Sequence, residues 1–291
     1  MGNFFRAIRN ILRYIFGSGP DVLLPGEAQD GADVSEAMAV IEVTAEVIEA
    51  DRRAAPAAST APEPVAPAGT SIELPEVRTP RYLWCIDNGH GAGTAGKRSP
   101  KFPNGDQLFE YELTRDIFAR MKVGLDALGI AYQEICPEVE GDVKLSTRVE
   151  RAHQLDSAYP KFFLSLHANA FGNGSEWNNV SGIETWYYQG STSGVRLASA
   201  FQRALVTTLG WNDRAIRHHV DPAKAFYILR KTRMPAVLTE TGFYTNREEC
   251  TRLLDPAVRQ SIAQAHIDAI RQIEDEGISN IEIYSRIFQI G

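Results

Sequence analysis

The 291-residue chain has an ordinary globular composition, with 44% hydrophobic and 23% charged residues, so it can bury a sizeable core. Its formal net charge of −7 excludes a general nucleic-acid binder, which would carry a basic excess. No apolar run reaches the roughly 18–20 residues of a transmembrane helix. The three cysteines, Cys85, Cys136 and Cys250, lie too far apart for a CxxC metal site and are predicted to be structural thiols.

The first 20 residues form a predicted amphipathic helix, whose regular part covers residues 4–16. Its apolar side chains share one face at helical spacing, and Arg6, Arg9 and Arg13 share the opposite face. A secretory signal peptide has an uncharged apolar core, and these arginines interrupt the apolar residues here. No cleaved signal peptide is therefore predicted. The helix could lie on an anionic membrane surface or dock on a protein partner or its own domain, and docking is slightly favoured.

Composition divides the rest of the chain into three parts. Residues 21–78 combine an acidic segment, which contributes to the chain's negative charge, with a Pro/Ala-rich linker at 54–70. Pro-rich composition of this kind stays extended and builds no core. The main domain is predicted to cover residues 79–278, and a C-terminal tail follows at 279–291.

Strand-like and helix-like patterns alternate within the main domain. Apolar residues at helical spacing predict helices at 110–128, 145–155, 194–209 and 256–274. Short apolar runs predict strands at 82–87, 130–135, 161–167, 182–188 and 235–240, with a short extended piece at 226–229. This alternation predicts an α/β fold with a mostly parallel or mixed central sheet and helices on both faces.

Polar residues that can bind a metal follow several of the predicted strands. His90 follows the first strand, His167 ends the strand at 161–167, and Glu240 ends the strand at 235–240, while Glu110 opens the first helix. Ligands of open α/β sheets gather at the carboxyl ends of the strands. Two imidazoles and a carboxylate are a ligand set of catalytic zinc, although either histidine alone is as well explained by packing.

Six blocks in this order resemble the zinc-dependent N-acetylmuramoyl-L-alanine amidases, a cell-wall amidase family with a phosphorylase/hydrolase-like α/β fold. The resemblance covers about residues 81–273. The blocks are IDNGHGAGTAGKRSP (86–100), EYELTRDIFARMKVGLDALGI (110–130), LSTRVERAHQL (145–155), SLHANA (165–170), GIETWYY (182–188) and FYILRKTRMPAVLTETGFYTN (226–246).

The resemblance implies that His90, Glu110 and His167 are zinc ligands and that Glu240 is the catalytic carboxylate. One departure concerns the first helix, where the family often has Asn four residues after the ligand glutamate and this chain has Thr114. The register at Glu110 is therefore open, and Glu112 is the alternative ligand.

Other polar residues are weaker candidates. Asp87, Arg148 and Asn169 are candidates for supporting the metal ligands or contacting substrate, although Arg148 is equally well explained by a packing salt bridge. His218 and His219 match no ligand spacing and are predicted to be surface or turn residues.

The implied activity is hydrolysis of the amide between N-acetylmuramic acid and L-alanine in peptidoglycan, so residues 79–278 would be a zinc amidase catalytic domain. The partner would be peptidoglycan, and the enzyme would act at the bacterial cell wall or in the periplasm, by an export or release route that the sequence leaves open. Two alternatives stand beside it: a zinc peptidase acting on another amide, and an inactive wall-binding module.

Overall fold

A computed structural model describes residues 79–291. The amphipathic helix and the acidic segment with its linker, predicted at residues 1–78, lie outside the described residues.

The strands are β1 Leu83–Asn88, β2 Tyr132–Glu134, β3 Lys161–Asn169, β4 Ile183–Tyr187, β5 Asp213–His219, β6 Ala236–Phe243 and β7 Ile287–Ile290. The α-helices are α1 Glu110–Ala127, α2 Leu145–Gln154, α3 Thr192–Leu209, α4 Tyr227–Lys231, α5 Arg247–Leu254 and α6 Pro256–Glu276. Among these, none has the length and apolar character needed to cross a membrane.

The strands form one mixed seven-stranded sheet in the order β2-β1-β3-β6-β4-β5-β7. The first four strands of this order are mutually parallel. The direction reverses between β6 and β4, and β4, β5 and β7 are again parallel to one another. The predicted α/β fold with a mixed central sheet is confirmed.

Side chains alternate between the two sheet faces along β3, as the two-residue period of a strand requires. Phe162, Leu164 and Leu166 belong to the larger core, which includes residues of α1, α3 and α6. Phe163 points to the other face, where α2 and α4 supply a smaller core. By the same alternation, Ser165 and His167 lie on the face of the smaller core.

Two sequence predictions in this region were wrong. The piece at 226–229 was predicted to be extended, but Tyr227–Lys231 is a short helix. Five residues are too few for a helical period to show in the sequence. The helix is stabilised by burial of Ile228 and Leu229 in the smaller core.

The second error concerns β5, whose sequence DRAIRHH is too polar to predict a strand. His218, expected at the surface or in a turn, is buried beside the ring of Tyr187 at 5.2 Å. His219 stacks on Trp186 at 4.9 Å.

The last residues of the chain, predicted as a tail, add β7 to the edge of the sheet beside β5.

The three cysteines are free and buried, as the prediction of structural thiols required. Burial raises the pKa of the Cys85 thiol to about 12 and that of Cys250 to about 11. Thiols protonated at neutral pH are poor nucleophiles and poor metal ligands.

Candidate metal centre and active site

The turn after β1 presents His90 in a backbone conformation that side-chain-bearing residues rarely adopt. Its φ is 61°, in the left-handed region. The His90 carbonyl accepts hydrogen bonds from Arg115 Nη2 at 3.1 Å and Arg148 Nη2 at 3.2 Å. The preceding residue must be glycine because a Cβ on Gly89 would lie 2.4 Å from the His167 ring. Two guanidinium hydrogen bonds to the His90 carbonyl and the small size of Gly89 therefore allow the two histidines to lie side by side.

His90, Glu110 and His167 converge on one point of the sheet face. One potential ligand atom of each residue lies within 4.8 Å of those of the other two. His167 Nδ1 is 2.9 Å from Glu110 Oε1, and His90 Nε2 is 3.4 Å from Glu110 Oε2. Glu110 Oε2 is buried and, among the described residues, accepts no hydrogen bond. A buried carboxylate oxygen without a donor, between two imidazoles, fits a metal cation.

Glu112, the alternative ligand, lies elsewhere. Its side chain is exposed and accepts a hydrogen bond from the Tyr111 hydroxyl at 2.9 Å. Thr114, the residue that left the register open, donates a hydrogen bond to the Gly89 carbonyl at 3.1 Å. Thr114, although it departs from the family pattern, thus stabilises the turn that carries His90. The structure brings Glu110, and not Glu112, to the histidines.

The electrostatics of the cluster favour the protonation states that metal ligands need. Burial alone would raise the pKa of Glu110, but the interactions with His167 and His90 outweigh it, so the net pKa lies well below the usual range. Burial lowers the pKa of His90. An ionised carboxylate and a neutral imidazole are the ligand forms for divalent metals.

Glu240 lies on β6 directly beside His167, with which it pairs in register. Its Oε2 is buried and has no hydrogen-bond partner among the described residues. Burial raises the pKa of this carboxyl group well above its usual value, and the negative charge of Glu110 raises it further. A carboxyl group whose pKa moves toward neutrality is suited to accepting and returning a proton.

A chain of hydrogen bonds fixes the orientation of His167. Arg148 Nη1 donates to Asp87 Oδ1 at 2.8 Å, and Ser165 Oγ donates to Asp87 Oδ2 at 2.8 Å. Ser165 Oγ lies 3.1 Å from His167 Nε2. Because the hydroxyl hydrogen is given to Asp87, Ser165 accepts from His167, which places the ring proton on Nε2. The Nδ1 lone pair then faces Glu110.

Arg148 and Asp87 are therefore linked by hydrogen bonds to the His90 backbone and, through Ser165, to the His167 ring. Arg148 is 1% exposed and also donates to the Asn88 carbonyl at 2.6 Å and the Val143 carbonyl at 2.9 Å. Its guanidinium is occupied by the protein, which leaves substrate contact to other residues.

Among the hydrogen bonds of residues 79–291, those of the Asn169 side chain go to residues other than His90, Glu110 and His167. Its amide nitrogen donates to Glu184 Oε2 at 3.1 Å, and its amide oxygen accepts from the Ala170 backbone at 2.8 Å. Sequence reasoning missed Ser165 as a supporting residue, although its position two residues before His167 on a strand was a usable signal. It also missed Arg214 and Arg217, because β5 was not predicted.

A mixed α/β sheet with a His–Glu–His cluster and a separate buried carboxylate matches the ligand set and general base of metal-dependent hydrolases. Within that class, the sequence profile of the N-acetylmuramoyl-L-alanine amidases matches residues 85–272. The chain belongs to this family, and the resemblance carried by its sequence blocks is confirmed.

Relatives and solved structures agree with this assignment. The chain is 34% identical to N-acetylmuramoyl-L-alanine amidase LytC of Bacillus subtilis over 183 residues, 62% of this chain and 33% of LytC. It thus spans about a third of that relative. An N-acetylmuramoyl-L-alanine amidase from Clostridium difficile 630 matches with a TM-score of 0.58 and 26% identity, over 68% of this chain and 100% of its own. Amidase AmiC2 of Nostoc punctiforme matches with a TM-score of 0.54 and 29% identity, over 66% and 96% of the two chains.

Proposed function

We propose that this protein hydrolyses the amide between N-acetylmuramic acid and L-alanine in peptidoglycan, with a zinc ion held by His90, Glu110 and His167. The observation that carries the proposal is the buried Glu110 carboxylate, which lies between the two imidazoles with one oxygen lacking a hydrogen-bond donor among the described residues. Family membership supports the choice of substrate.

The side chains have separate roles in this mechanism. When bound, zinc polarises a scissile carbonyl and lowers the pKa of water toward neutrality. Glu240 accepts the proton of the attacking water and passes it to the leaving amine of L-alanine. Ser165 and Asp87 keep the His167 proton on Nε2, so that Nδ1 is free to bind the metal.

The proposed place of action is the bacterial cell wall or the periplasm, where peptidoglycan is found. Residues 4–16 remain a predicted contact with a membrane surface or a protein partner. The export or release route is a separate question from the chemistry of the site.

Digestion of purified sacculi tests the reaction. We expect release of intact stem peptides with a free L-alanine amino group, leaving glycan without peptides, as measured by mass spectrometry. A zinc peptidase would instead give shortened peptides, and a wall-binding module would give no products. Metal analysis of the purified protein should find about one zinc per chain, as expected for a catalytic site with three protein ligands.

Glu240→Ala tests the role of the carboxylate. Because Glu240 is proposed to move protons and not to bind metal, the variant should keep its zinc and lose turnover by a factor of about 100 or more. Activity near that of the wild type would contradict this mechanism.

A further inference from the structure

Two guanidinium groups lie on the same sheet face as the candidate active site. Glu184 on β4 pairs in register with Glu240 on β6. The next strand, β5, carries Arg214 and Arg217, and Arg217 pairs with Trp186 of β4. Since neighbouring strands are about 4.8 Å apart, the backbone of β5 lies about 10 Å from that of β6 across the sheet.

Arg214 is held in place by a carboxylate and an aromatic ring. Its Nε donates to Glu184 Oε1 at 2.6 Å, and its guanidinium lies 5.0 Å from the centre of the buried Phe243 ring. The other oxygen of Glu184 accepts from Trp186 Nε1 at 3.0 Å and from Asn169 at 3.1 Å. Glu184 is therefore a fixed, buried anchor.

Arg217 is held in a similar way. Its Nε donates to the Arg214 carbonyl at 3.0 Å and lies 3.4 Å from Glu184 Oε1. Its guanidinium lies 5.8 Å from the Trp186 ring centre and 4.9 Å from that of Phe288. Ordering both side chains in the folded protein reduces the entropy lost when a ligand binds.

Glu184, Arg214 and Arg217 together carry a net positive charge and have unused hydrogen-bond donors. Glu184 supplies one negative charge to two positive ones. Within residues 79–291, each guanidinium donates a hydrogen bond through Nε, and the terminal nitrogens have no protein acceptor. The side chains are 27% and 12% exposed, so a ligand can reach them. Arginine pairs of this kind match the geometry of a carboxylate.

We propose that Arg214 and Arg217 form a subsite for a carboxylate of the peptide on the amine side of the scissile amide. The inference rests on the proposed function. The muramoyl group uses its own carboxyl group in the amide, whereas the peptide keeps at least its terminal carboxylate. An extended peptide advances about 3.3–3.6 Å per residue, so a separation of about 10 Å corresponds to the first three residues of the peptide.

The test compares two N-acetylmuramoyl peptides, one with free carboxylates and one with the same carboxyl groups amidated. For the wild type we expect kcat/KM to be about tenfold or more higher with free carboxylates, as is typical of hydrogen bonds to a charged group. Arg214→Gln and Arg217→Gln should reduce this ratio toward one by slowing only the carboxylate substrate. Arg271→Gln, in an exposed arginine of α6, is the matched control and should keep the ratio.

The possible outcomes separate this proposal from the proposed function. Absence of product from both substrates would reject the amidase function itself. Equal rates for both substrates with the wild type would reject the subsite and leave the function standing, and this comparison needs no variant to fold. Equal losses on both substrates in the glutamine variants would assign the arginines a structural role. Arg217→Lys keeps the charge without the planar fork and should give an intermediate ratio.

Discussion

The Ser165 hydroxyl is part of a hydrogen-bond chain that links the two histidines of the candidate metal centre. Ser165 donates to Asp87 and accepts from His167, while Asp87 is also bound by Arg148, which in turn holds the His90 carbonyl. Both histidines are thereby oriented by the same buried ion pair. Such outer contacts matter because a ligand ring that rotates freely must be ordered when the metal binds.

Ser165→Ala should weaken zinc binding without changing the ligands. Loss of the outer hydrogen bond leaves His167 free to change tautomer, and we expect the zinc dissociation constant to rise about 10–100-fold. Competition with a chromophoric chelator measures it. Ser199→Ala, which removes another buried hydroxyl from the opposite side of the sheet, should leave zinc affinity unchanged. An unaltered dissociation constant in Ser165→Ala would contradict the assigned role.

The two glutamates at the start of α1 can be distinguished by paired substitutions. Glu110→Gln replaces the buried carboxylate between the histidines by a neutral amide and should abolish stoichiometric zinc binding. Glu112→Gln changes an exposed side chain and should retain zinc and activity. Metal content after gel filtration decides between them, and zinc loss in Glu112→Gln alone would mean that the ligand register is shifted.

At the level of elements, α6 shows how a buried polar residue can be tolerated. His266 is 1% exposed, its Nδ1 donates to the Ile262 carbonyl at 2.8 Å, and its Nε2 lies 3.1 Å from the Thr239 hydroxyl. A neutral imidazole satisfies both ring nitrogens when the Thr239 hydroxyl donates to Nε2. Burial accordingly lowers the pKa of His266 to about 4.

This shift predicts a dependence of stability on pH. Between pH 6.5 and about 4, the unfolded chain binds a proton that folded His266 does not, so stability falls as the pH falls. The full effect is about 3 kcal/mol below pH 4, from a pKa shift of about 2.5 units. Urea unfolding of wild type and His266→Gln between pH 7 and 4 should show a steeper loss for the wild type. Parallel curves would contradict the prediction.

At the level of the whole molecule, the beginning and end of the described domain are fastened together. Glu274 near the end of α6 accepts hydrogen bonds from Trp84 Nε1 at 2.8 Å and from the Arg81 backbone at 2.7 Å. Beyond α6, Ile281 is buried, and Tyr284 hydrogen-bonds Asp213 at 3.0 Å. β7 then completes the edge of the sheet.

Stopping the chain after Ser285 removes β7 and keeps the buried Ile281 and Tyr284 contacts. The exposed edge of β5 would then offer unpaired backbone groups to other chains. We expect a lower Tm and concentration-dependent association, measured by calorimetry and light scattering, with zinc content preserved. Loss of zinc together with β7 would show that the edge strand supports the metal centre directly.

Most of the fold could be predicted from the sequence, because the apolar residues of most segments follow either a helical or a strand period. The long helices and the apolar strands showed their periods clearly, and strand ends pointed to His90, His167 and Glu240. β5 could not be predicted because its Arg and His side chains are stabilised by Glu184, Trp186 and Phe288, which are brought together only by folding. Arg148 could be named from the sequence as a candidate, but support of the histidines could not be told from substrate contact, because a guanidinium that binds backbone carbonyls leaves no mark in the sequence.

The unequal helices on the two sheet faces have a consequence for access of the proposed peptidoglycan substrate. On one face α1, α3 and α6 are 18, 18 and 21 residues long, whereas α2 and α4 on the other are 10 and 5. At about 1.5 Å per residue, the shorter pair covers less of its face, where His167 and Glu240 remain partly exposed. The proposed substrate, a cross-linked peptidoglycan mesh, can approach such a face from the side without threading a free end. Under the proposed function, stem peptides should therefore be released from interior positions of long glycan strands as often as near their ends.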